Sequence, residues 1–245
     1  MRLRIVGGSG AFPANGQACS GYLVDHANHR LLIDPGYGVA TTLGEDPVAI
    51  DAVYVSHGHP DHYADLHPLL RARVLEHGDV DPLTIYAPPG AVDRILELDG
   101  LNELAGAFRL STFEPGDAFS IGPFHAQTYS LPHFVPNAGV RLSAGGRVLA
   151  YTGDSGPAPE VAVMAAEADV LLAEATYPAM VPERFRPYLS TAVDSAKAAA
   201  EAGVTCLILT HLWPGTDRER MLETASEHFR GATEVASPGH VVEFR

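Results

Sequence analysis

The chain has 245 residues, enough for one large domain or two small ones and for a sizeable hydrophobic core. Apolar residues make up 46% and charged residues 19%, which is a globular rather than a disordered composition. The formal charge of −14 argues against non-specific binding to nucleic acid or to an anionic membrane, because both require a basic surface.

Strand patterns fill the first part of the chain, and helical periodicity follows them. The predicted strands are Leu3–Val6, Gly21–Asp25, Arg30–Asp34 and Ala52–Ser56, with another before Pro88. Helical spacing extends from near His62 to about Glu76, with one apolar face made of Leu66, Leu69, Leu70 and Val74. A second predicted helix carries the apolar residues Val92, Ile95, Leu96 and Leu98.

The second half repeats this alternation. Its predicted strands are Phe124–Ser130, Gly139–Leu142, Val148–Tyr151, Val170–Ala173, Val204–Thr210 and Val241–Phe244. Its predicted helices are Pro159–Glu167, Thr191–Ala202 with Gly203 as the C-terminal cap, and Asp217–Phe229. Because no linker separates the halves, we expect a single domain of residues 1–245, of α/β (α+β) class, with two sheets face to face and helices outside.

The N-terminus and the cysteine count restrict location and metal chemistry. Met1–Val6 alternates like a strand, and neither a signal peptide nor a run of about 18 apolar residues occurs, so a soluble cytoplasmic protein without membrane contact is expected. The two cysteines, Cys19 and Cys206, are too few for a disulfide framework or a cysteine zinc cluster. Metal ligands must therefore come from other residues, and the chain has 12 histidines.

The most informative motif follows the predicted strand that ends at Ser56. It contains four metal-competent side chains within six residues: His57, His59, Asp61 and His62. The two histidines of the H-x-H pair can converge on one ion, and opposite faces of such a turn can serve two ions. Imidazole nitrogen and carboxylate oxygen suit zinc, and also iron or manganese.

Three further polar residues follow apolar strands, where α/β folds tend to place their sites. They are His133, Asp154 and His211. Each alone is typical of an ordinary loop. Arriving in order after the H-x-H-x-D-H motif, they indicate more ligands of the same metal site, since a two-metal site needs about six or seven ligands.

This ordered series resembles the metallo-β-lactamase superfamily and covers most of the chain. The resemblance implies the four-layer αββα sandwich and two divalent ions, with zinc expected first and manganese or iron as alternatives. It also implies that one ion takes His57, His59 and His133, and the other takes Asp61, His62 and His211, with Asp154 bridging them. Two ions sharing a water lower its pKa and provide a bridging hydroxide as the nucleophile for hydrolysis.

Within the superfamily, the chain looks like the small phosphodiesterase-like branch, which includes ribonuclease Z and a compact bacterial group linked to cyclic-nucleotide phosphodiesterase activity. The segments that carry this likeness are Gly7–Pro13, Ser20–Leu23, Leu172–Tyr177 and Ser190–His211. The resemblance implies a dinuclear hydrolase for a small-molecule substrate, foremost a phosphodiester such as a cyclic nucleotide. It allows a homodimer, which no pattern in the chain requires.

The chain departs from ribonuclease Z in two features, and these departures leave alternative functions open. Ala173 and Leu189 stand where that enzyme has histidines, and Tyr188, Arg184 or Arg186 are candidates to replace the second one. The chain also lacks a basic arm for tRNA, which together with its charge argues against a nucleic-acid substrate. The alternatives are a hydrolase of carboxylic or sulfuric esters, lactones or thioesters with the same ions, and a metal-binding protein without turnover.

Asp61, Asp154 and Glu174 are the candidates for catalytic carboxylates, and Asp61 is expected to orient a water or accept its proton. Glu174 follows a predicted buried strand, where a carboxylate is costly unless it is hydrogen-bonded. It either accepts an N–H from a ligand histidine or contacts a backbone turn. Aromatic residues that are candidates for the pocket mouth are Phe12, Tyr37, Phe134 and Trp213.

Overall fold

The computed structural model describes residues 1–77, 80–99, 103–104 and 106–244. In these residues the strands are β1 (Arg2–Gly7), β2 (Gly21–His26), β3 (His29–Ile33), β4 (Ala52–Tyr54), β5 (Leu83–Ala87), β6 (Phe108–Thr112), β7 (Ala118–Ile121), β8 (Phe124–Leu131), β9 (Asn137–Ala144), β10 (Arg147–Tyr151), β11 (Val170–Glu174), β12 (Cys206–Thr210), β13 (Ala232–Val235) and β14 (Val241–Glu243). The α-helices are α1 (Val39–Thr42), α2 (Pro60–Tyr63), α3 (Leu66–His77), α4 (Asp93–Leu96), α5 (Pro159–Ala165), α6 (Ala192–Ala202) and α7 (Arg218–Ser226). No helix in these ranges is long and apolar enough to cross a membrane.

The strands form two sheets of seven strands with the same plan. The first has the order β14-β1-β2-β3-β4-β5-β6, and the second has the order β13-β12-β11-β10-β9-β8-β7. In the first sheet, the strands from β3 to β6 are parallel, and in the second the strands from β10 to β13 are parallel. Because parallel strands end at the same edge of a sheet, the residues that follow them collect in one place.

Four layers result from the burial of both faces of each sheet. Leu3 and Ile5 of the first sheet and Leu172 and Ile208 of the second belong to one core between the sheets. A second core joins the outer face of the first sheet to α3 and α4, and a third joins the second sheet to α5, α6 and α7. The predicted αββα sandwich is confirmed.

Three buried tyrosines form hydrogen bonds across the central core. The Tyr22 hydroxyl lies 2.7 Å from Thr210 Oγ1, Tyr54 donates to the Ala138 carbonyl at 2.9 Å, and Tyr151 donates to Asp34 Oδ2 at 2.6 Å. Each bond joins the first sheet, or the residue that follows one of its strands, to the second sheet. The bonds therefore fix how the sheets face each other, in addition to the apolar contacts.

The prediction of one helix from His62 to Glu76 is wrong, because the chain forms α2 and α3 with a turn at Ala64 and Asp65. The cause is Pro68, which has no N–H to bond to the Ala64 carbonyl and is tolerated only in the first turn of a helix. The predicted apolar face of this segment is buried, apart from the partly buried Val74. Leu98 is 62% exposed and lies beyond the end of α4, so its assignment to a helix is also wrong.

The capping box of α6 gives a test of local stability. Thr191 Oγ1 accepts from the Asp194 N–H, and Asp194 Oδ2 accepts from the Thr191 N–H. We expect Thr191→Ala to lower the free energy of unfolding by about 1 kcal/mol, measured by urea denaturation of metal-free protein. Thr191→Ser keeps the hydroxyl and loses only the buried methyl group, so it is expected to be more stable than Thr191→Ala; equal losses in both variants would contradict this assignment.

Candidate metal centre

Polar side chains from both sheets meet at the edge where the strands end. His57, His59, Asp61 and His62 follow β4 of the first sheet, whereas His133, Asp154 and His211 follow β8, β10 and β12 of the second. All of them are buried except the half-buried His59 and His133. The structure therefore brings together all seven residues that the sequence indicated as ligands.

The backbone after β4 explains how the motif presents four side chains. His57 forms an isolated antiparallel bridge with Asn137, and the Ser56 carbonyl accepts from the Ala138 N–H at 3.0 Å, so this segment stays extended. His59 is also extended, with φ −94° and ψ 139°, and Pro60 then begins α2. Asp61 and His62 consequently lie on the single turn of α2.

The first cluster consists of His57, His59, His133 and Asp154. His59 Nδ1 lies 3.1 Å from His57 Nε2 and 3.0 Å from His133 Nε2. Asp154 Oδ2 lies 3.9 Å from His57 Nε2 and 3.8 Å from His133 Nε2. Three nitrogens and one carboxylate oxygen therefore surround one point.

The second cluster consists of Asp61, His62, His211 and the same Asp154. Asp61 Oδ2 lies 3.3 Å from His211 Nε2 and 3.6 Å from His62 Nε2. Asp154 Oδ1 is 3.2 Å from His62 Nε2, and Asp154 Oδ2 is 3.1 Å from His211 Nε2. Asp154 is thus the residue that the two clusters share.

The donor geometry fits a pair of divalent cations. Two donor atoms bound to one tetrahedral zinc at about 2.0–2.1 Å lie about 3.3 Å apart. The nitrogen–nitrogen distances of the first cluster and the nitrogen–oxygen distances of the second are close to this value, whereas the contacts of Asp154 in the first cluster, at 3.8 and 3.9 Å, are longer. His62 Nε2 and Asp154 Oδ1 are buried and have no hydrogen-bond partner among the described residues, although they face each other. A cation would satisfy both atoms, and the nitrogen and oxygen donors suit zinc, manganese or iron.

The first cluster holds neutral imidazoles. Burial lowers the pKa of His57 well below its usual range and lowers the pKa of His133 to about 4. Burial also lowers the pKa of His59. These rings therefore have free lone pairs for a cation at neutral pH without losing a proton first.

The second cluster has the opposite charge balance. Burial alone would lower the pKa of His211, but the carboxylates of Asp154 and Asp61 outweigh it and raise that pKa to about 9. The same carboxylates raise the pKa of His62 well above its usual range, against the effect of burial. Burial would raise the pKa of Asp61, but the two histidines hold it at about 2. Without a cation, protons on the imidazoles balance the buried carboxylates.

Outer hydrogen bonds orient four of the histidine rings toward the clusters. In each ring, Nδ1 contacts a neighbouring oxygen and leaves Nε2 for the cluster. The pairs are His57 with Ser56 Oγ at 3.0 Å, His62 with Asp34 Oδ2 at 2.8 Å, His133 with the Tyr188 carbonyl at 3.0 Å, and His211 with Thr176 Oγ1 at 3.1 Å.

Asp34 is a residue of this site that sequence reasoning missed. It is fully buried, has a left-handed φ of 49°, and accepts hydrogen bonds from the Ser56 N–H, the Ser56 hydroxyl, His62 Nδ1 and the Tyr151 hydroxyl. Its signal in the sequence was the same as that of His211, namely a polar residue at the end of an apolar strand.

Glu174 lies next to the second cluster and has the second of its two predicted roles, because it accepts from backbone turns and from no histidine N–H in the described residues. It accepts from the Ser155 N–H and from the Ser190 N–H, so it does contact backbone turns. It also accepts from Thr176 Oγ1 at 2.6 Å, and this hydroxyl contacts His211 Nδ1, so the link to a histidine is indirect. Burial, followed by the charge of Asp154, raises the pKa of Glu174 to about 8.

The glycine-rich loop after β1 supplies a contact that was also missed. The Ala11 N–H donates to Asp61 Oδ2 at 3.0 Å, and Ala11 has a left-handed φ of 63°. Gly10 precedes it, and a Cβ at Gly10 would lie 2.8 Å from the His211 carbonyl oxygen. The loop can therefore approach the second cluster only with glycine at this position.

No side chain of residues 184–189 forms a hydrogen bond with any of the seven clustered residues. Leu189 is buried, and Tyr188 contacts His133 through its carbonyl group. The Cζ atom of Arg184 lies 4.4 Å from the ring centroid of Phe185. Arg186 forms an ion pair with Glu183, with 3.4 Å between Nη2 and Oε2.

Aromatic rings lie on two sides of the clusters. Trp213 contacts Phe12 and Tyr177, with ring centroids 5.9 and 6.0 Å apart. The ring centroid of Phe134 lies 4.5 Å from that of Tyr188, 5.9 Å from that of Phe185 and 5.1 Å from that of His133. Tyr37 is exposed and stacks on none of these described rings.

The fold and the two clusters define a class of metal-dependent hydrolases, and comparison with known families agrees. The family described as "Beta-lactamase superfamily domain" matches residues 29–212, which include all seven clustered residues. The chain belongs to this superfamily.

Individual relatives cover nearly the whole chain. A probable metallo-hydrolase, YhfI of Bacillus subtilis, is 29% identical over 99% of this chain and 100% of its own length. Ribonuclease Z of Methanopyrus kandleri is 30% identical over 99% of this chain and 98% of its own length. The likeness to the ribonuclease Z-like branch is thus confirmed.

Solved structures agree with the fold. The crystal structure of YhfI from Bacillus subtilis has a TM-score of 0.88 at 28% identity, and covers 98% of both chains. The short form of human tRNase Z has a TM-score of 0.79 at 21% identity, and covers 100% of both chains. The second likeness concerns the fold alone.

The charge difference between the clusters predicts two different pH dependences. Below about pH 9, His211 carries a proton that a cation must displace, and His62 carries another. We expect the zinc affinity of the second cluster to fall by up to about 100-fold for each unit by which the pH is lowered between pH 8 and pH 6. The reason is that each of the two displaced protons contributes a factor of about ten per pH unit. The zinc affinity of the first cluster is expected to change little over this range, since His57, His59 and His133 are already neutral. Calorimetric zinc titrations in buffers of different ionisation enthalpy count the protons; equal release in both steps would contradict the assignment.

Asp34 is expected to support cation binding through His62. Asp34→Asn removes the carboxylate that orients this ring, and we expect zinc affinity to fall about 10–100-fold. Tyr151→Phe is the matched control, because it removes one donor to Asp34 but leaves the bond to His62. Chelator competition measures the affinities, and circular dichroism checks the fold. Parent-like affinity in Asp34→Asn would refute this role.

Proposed function

We propose that this chain is a dinuclear metal-dependent phosphodiesterase that acts on a small phosphodiester such as a cyclic nucleotide. The observation that carries the proposal is the convergence of two donor clusters on the shared carboxylate of Asp154. Shared ligands of this kind hold two cations close enough to act on one phosphoryl group.

In this proposal His57, His59 and His133 would hold the first cation, zinc foremost, and Asp61, His62 and His211 would hold the second, with Asp154 as the ligand that both would share. When bound, two such cations supply Lewis-acid activation of a water molecule and of the phosphoryl oxygens. The protein contributes fixed donors, so little reorganisation is needed when charge develops on the substrate.

Asp61 and Glu174 have different roles in this proposal. Asp61 Oδ2 is fixed by the Ala11 N–H and by His211, and its low pKa keeps it ionised, which suits orientation of a water. Glu174 accepts a hydrogen bond from the Thr176 hydroxyl, which leaves the oxygen of that hydroxyl to accept from His211 Nδ1–H. Glu174 thus fixes the tautomer of His211 from outside the cluster. Glu174 is therefore a positioning residue, whereas Asp61 and Asp154 face the reacting groups.

Two observations support a small phosphodiester as the substrate. A relative that is 30% identical over nearly the whole chain is named a ribonuclease, an enzyme class that cleaves phosphodiester bonds. The net charge of −14 repels a polyanion but acts much less on a substrate with a single phosphate.

The test is turnover of bis(p-nitrophenyl) phosphate by protein loaded with zinc or manganese. We expect metal-dependent turnover, and a loss of more than about 100-fold in Asp61→Asn, because losing a ligand costs more than the roughly 10–100-fold of an outer hydrogen bond. Asp25→Asn is the matched control, since it removes a partly buried carboxylate that pairs with Arg2 and Arg30 and is not one of the clustered residues.

The same assay distinguishes the other ester classes. A protein that holds two metals per chain but turns over no phosphodiester would overturn the proposal. Activity on p-nitrophenyl acetate, a lactone or a thioester in that case would identify a hydrolase of those bonds. Activity retained in Asp61→Asn would refute the site assignment itself.

A further inference from the structure

We propose that the rings of Phe12, Tyr177 and Trp213 stack the base of a nucleotide at the mouth of the metal centre, and that Arg184 pairs with its phosphate. The three rings are called the aromatic platform below. This inference rests on the proposed phosphodiesterase function and names the substrate class: a phosphodiester that carries a planar base.

The platform is continuous and open to solvent. Trp213 stacks on Tyr177 with an interplanar angle of 15°, and Phe12 meets Trp213 edge-on at 87°. Trp213 is 41% exposed and Phe12 is 47% exposed. Rings that serve only the core would be covered, whereas here a large aromatic surface faces water.

Each ring of the platform is fixed close to the second cluster by the backbone. Phe12 follows Ala11, whose N–H donates to Asp61 Oδ2. Trp213 lies two residues after His211, and its N–H donates to the Thr176 carbonyl at 3.0 Å. Tyr177 follows Thr176, whose hydroxyl contacts His211. A substrate whose phosphate reaches the cluster therefore has its remaining groups beside these rings.

Arg184 provides a free positive charge at the same mouth. Its side chain is exposed and has no ion pair or hydrogen bond within the described ranges; its guanidinium only lies over Phe185. Phe185 contacts Phe134, which lies beside His133 of the first cluster. Burial raises the pKa of Tyr177, and the charge of Arg184 opposes this shift, so the guanidinium also acts on the platform.

The neighbouring Arg186 differs from Arg184 because it already has an ion-pair partner, Glu183, at 3.4 Å. A guanidinium left unpaired in a chain with a net charge of −14 is suited to an incoming phosphate, with which it forms two parallel hydrogen bonds. Stacking rings and a phosphate-binding cation together match a nucleotide, whereas an aliphatic lactone or thioester matches neither.

The experiment compares two ligands that share a ribose 5-phosphate group: adenosine 5′-monophosphate, which carries adenine at C1′, and ribose 5-phosphate, which carries a hydroxyl group there. Calorimetry on zinc-loaded protein is expected to give at least about tenfold tighter binding of the nucleotide, the lower range for stacking of one base. In Trp213→Leu the affinities for the two ligands are expected to become equal, whereas Trp213→Phe is expected to keep the tighter binding of the nucleotide. Arg184→Gln is expected to weaken both ligands by a similar factor, and the control Arg186→Gln neither.

Fluorescence gives a second, independent measurement. Trp213 is the only tryptophan of the chain, so its emission reports on the platform alone. The nucleotide is expected to quench it, and ribose 5-phosphate is not.

Equal affinities of the two ligands for the parent protein, or an unchanged ratio in Trp213→Leu, would overturn the platform. Equal effects of the two arginine substitutions would overturn the role of Arg184. These binding measurements do not need turnover, so a failed phosphodiesterase assay with an intact affinity ratio would reject the proposed function and not the platform.

Discussion

The buried carboxylate of Asp154 is the constraint around which this end of the molecule is arranged. It is 3% exposed, and an isolated carboxylate at such a position costs several kcal/mol. Four imidazoles face its oxygens: His57, His62, His133 and His211. Because these rings come from both sheets, the charge that must be balanced lies across the junction of the two halves. Binding of cations there would stabilise the packing of the sheets together with the site.

The sequence was most informative where chemistry and burial coincide. The parallel strands β11 and β12 are fully buried and form nearly continuous apolar runs in the sequence, so the polar residues Glu174 at the end of β11 and His211 after β12 are conspicuous. His211 was found in this way, His133 and Asp154 were found because they also follow predicted apolar strands, and the other four clustered residues were found from the spacing of the H-x-H-x-D-H motif. Strands β6, β7 and β13 were missed because they are edge strands whose residues are mostly exposed or partly buried, so they carry no strong apolar pattern.

The supporting contacts were harder to predict, for two physical reasons. Asp34 is a polar residue after an apolar strand, but its partners His62 and Tyr151 are distant in sequence, and no local pattern shows which residues it contacts. Ala11 contributes its backbone N–H, which every residue except proline possesses, so its side chain carries no signal. The break before α3 was different, since Pro68 is visible in the sequence and its effect on the helix follows from its missing N–H.

The distribution of the ligands along the chain has a consequence for biosynthesis. His57, His59, Asp61 and His62 leave the ribosome early, but the residues that complete both clusters follow strands of the second sheet. The nascent chain consequently exposes an incomplete set of donors until β12 and His211 have emerged, and a cation captured before then lacks the bridging carboxylate or the last imidazole. Tight metal uptake is thereby a late event that follows the docking of the second sheet, and the folding of that sheet decides when the metal centre can form.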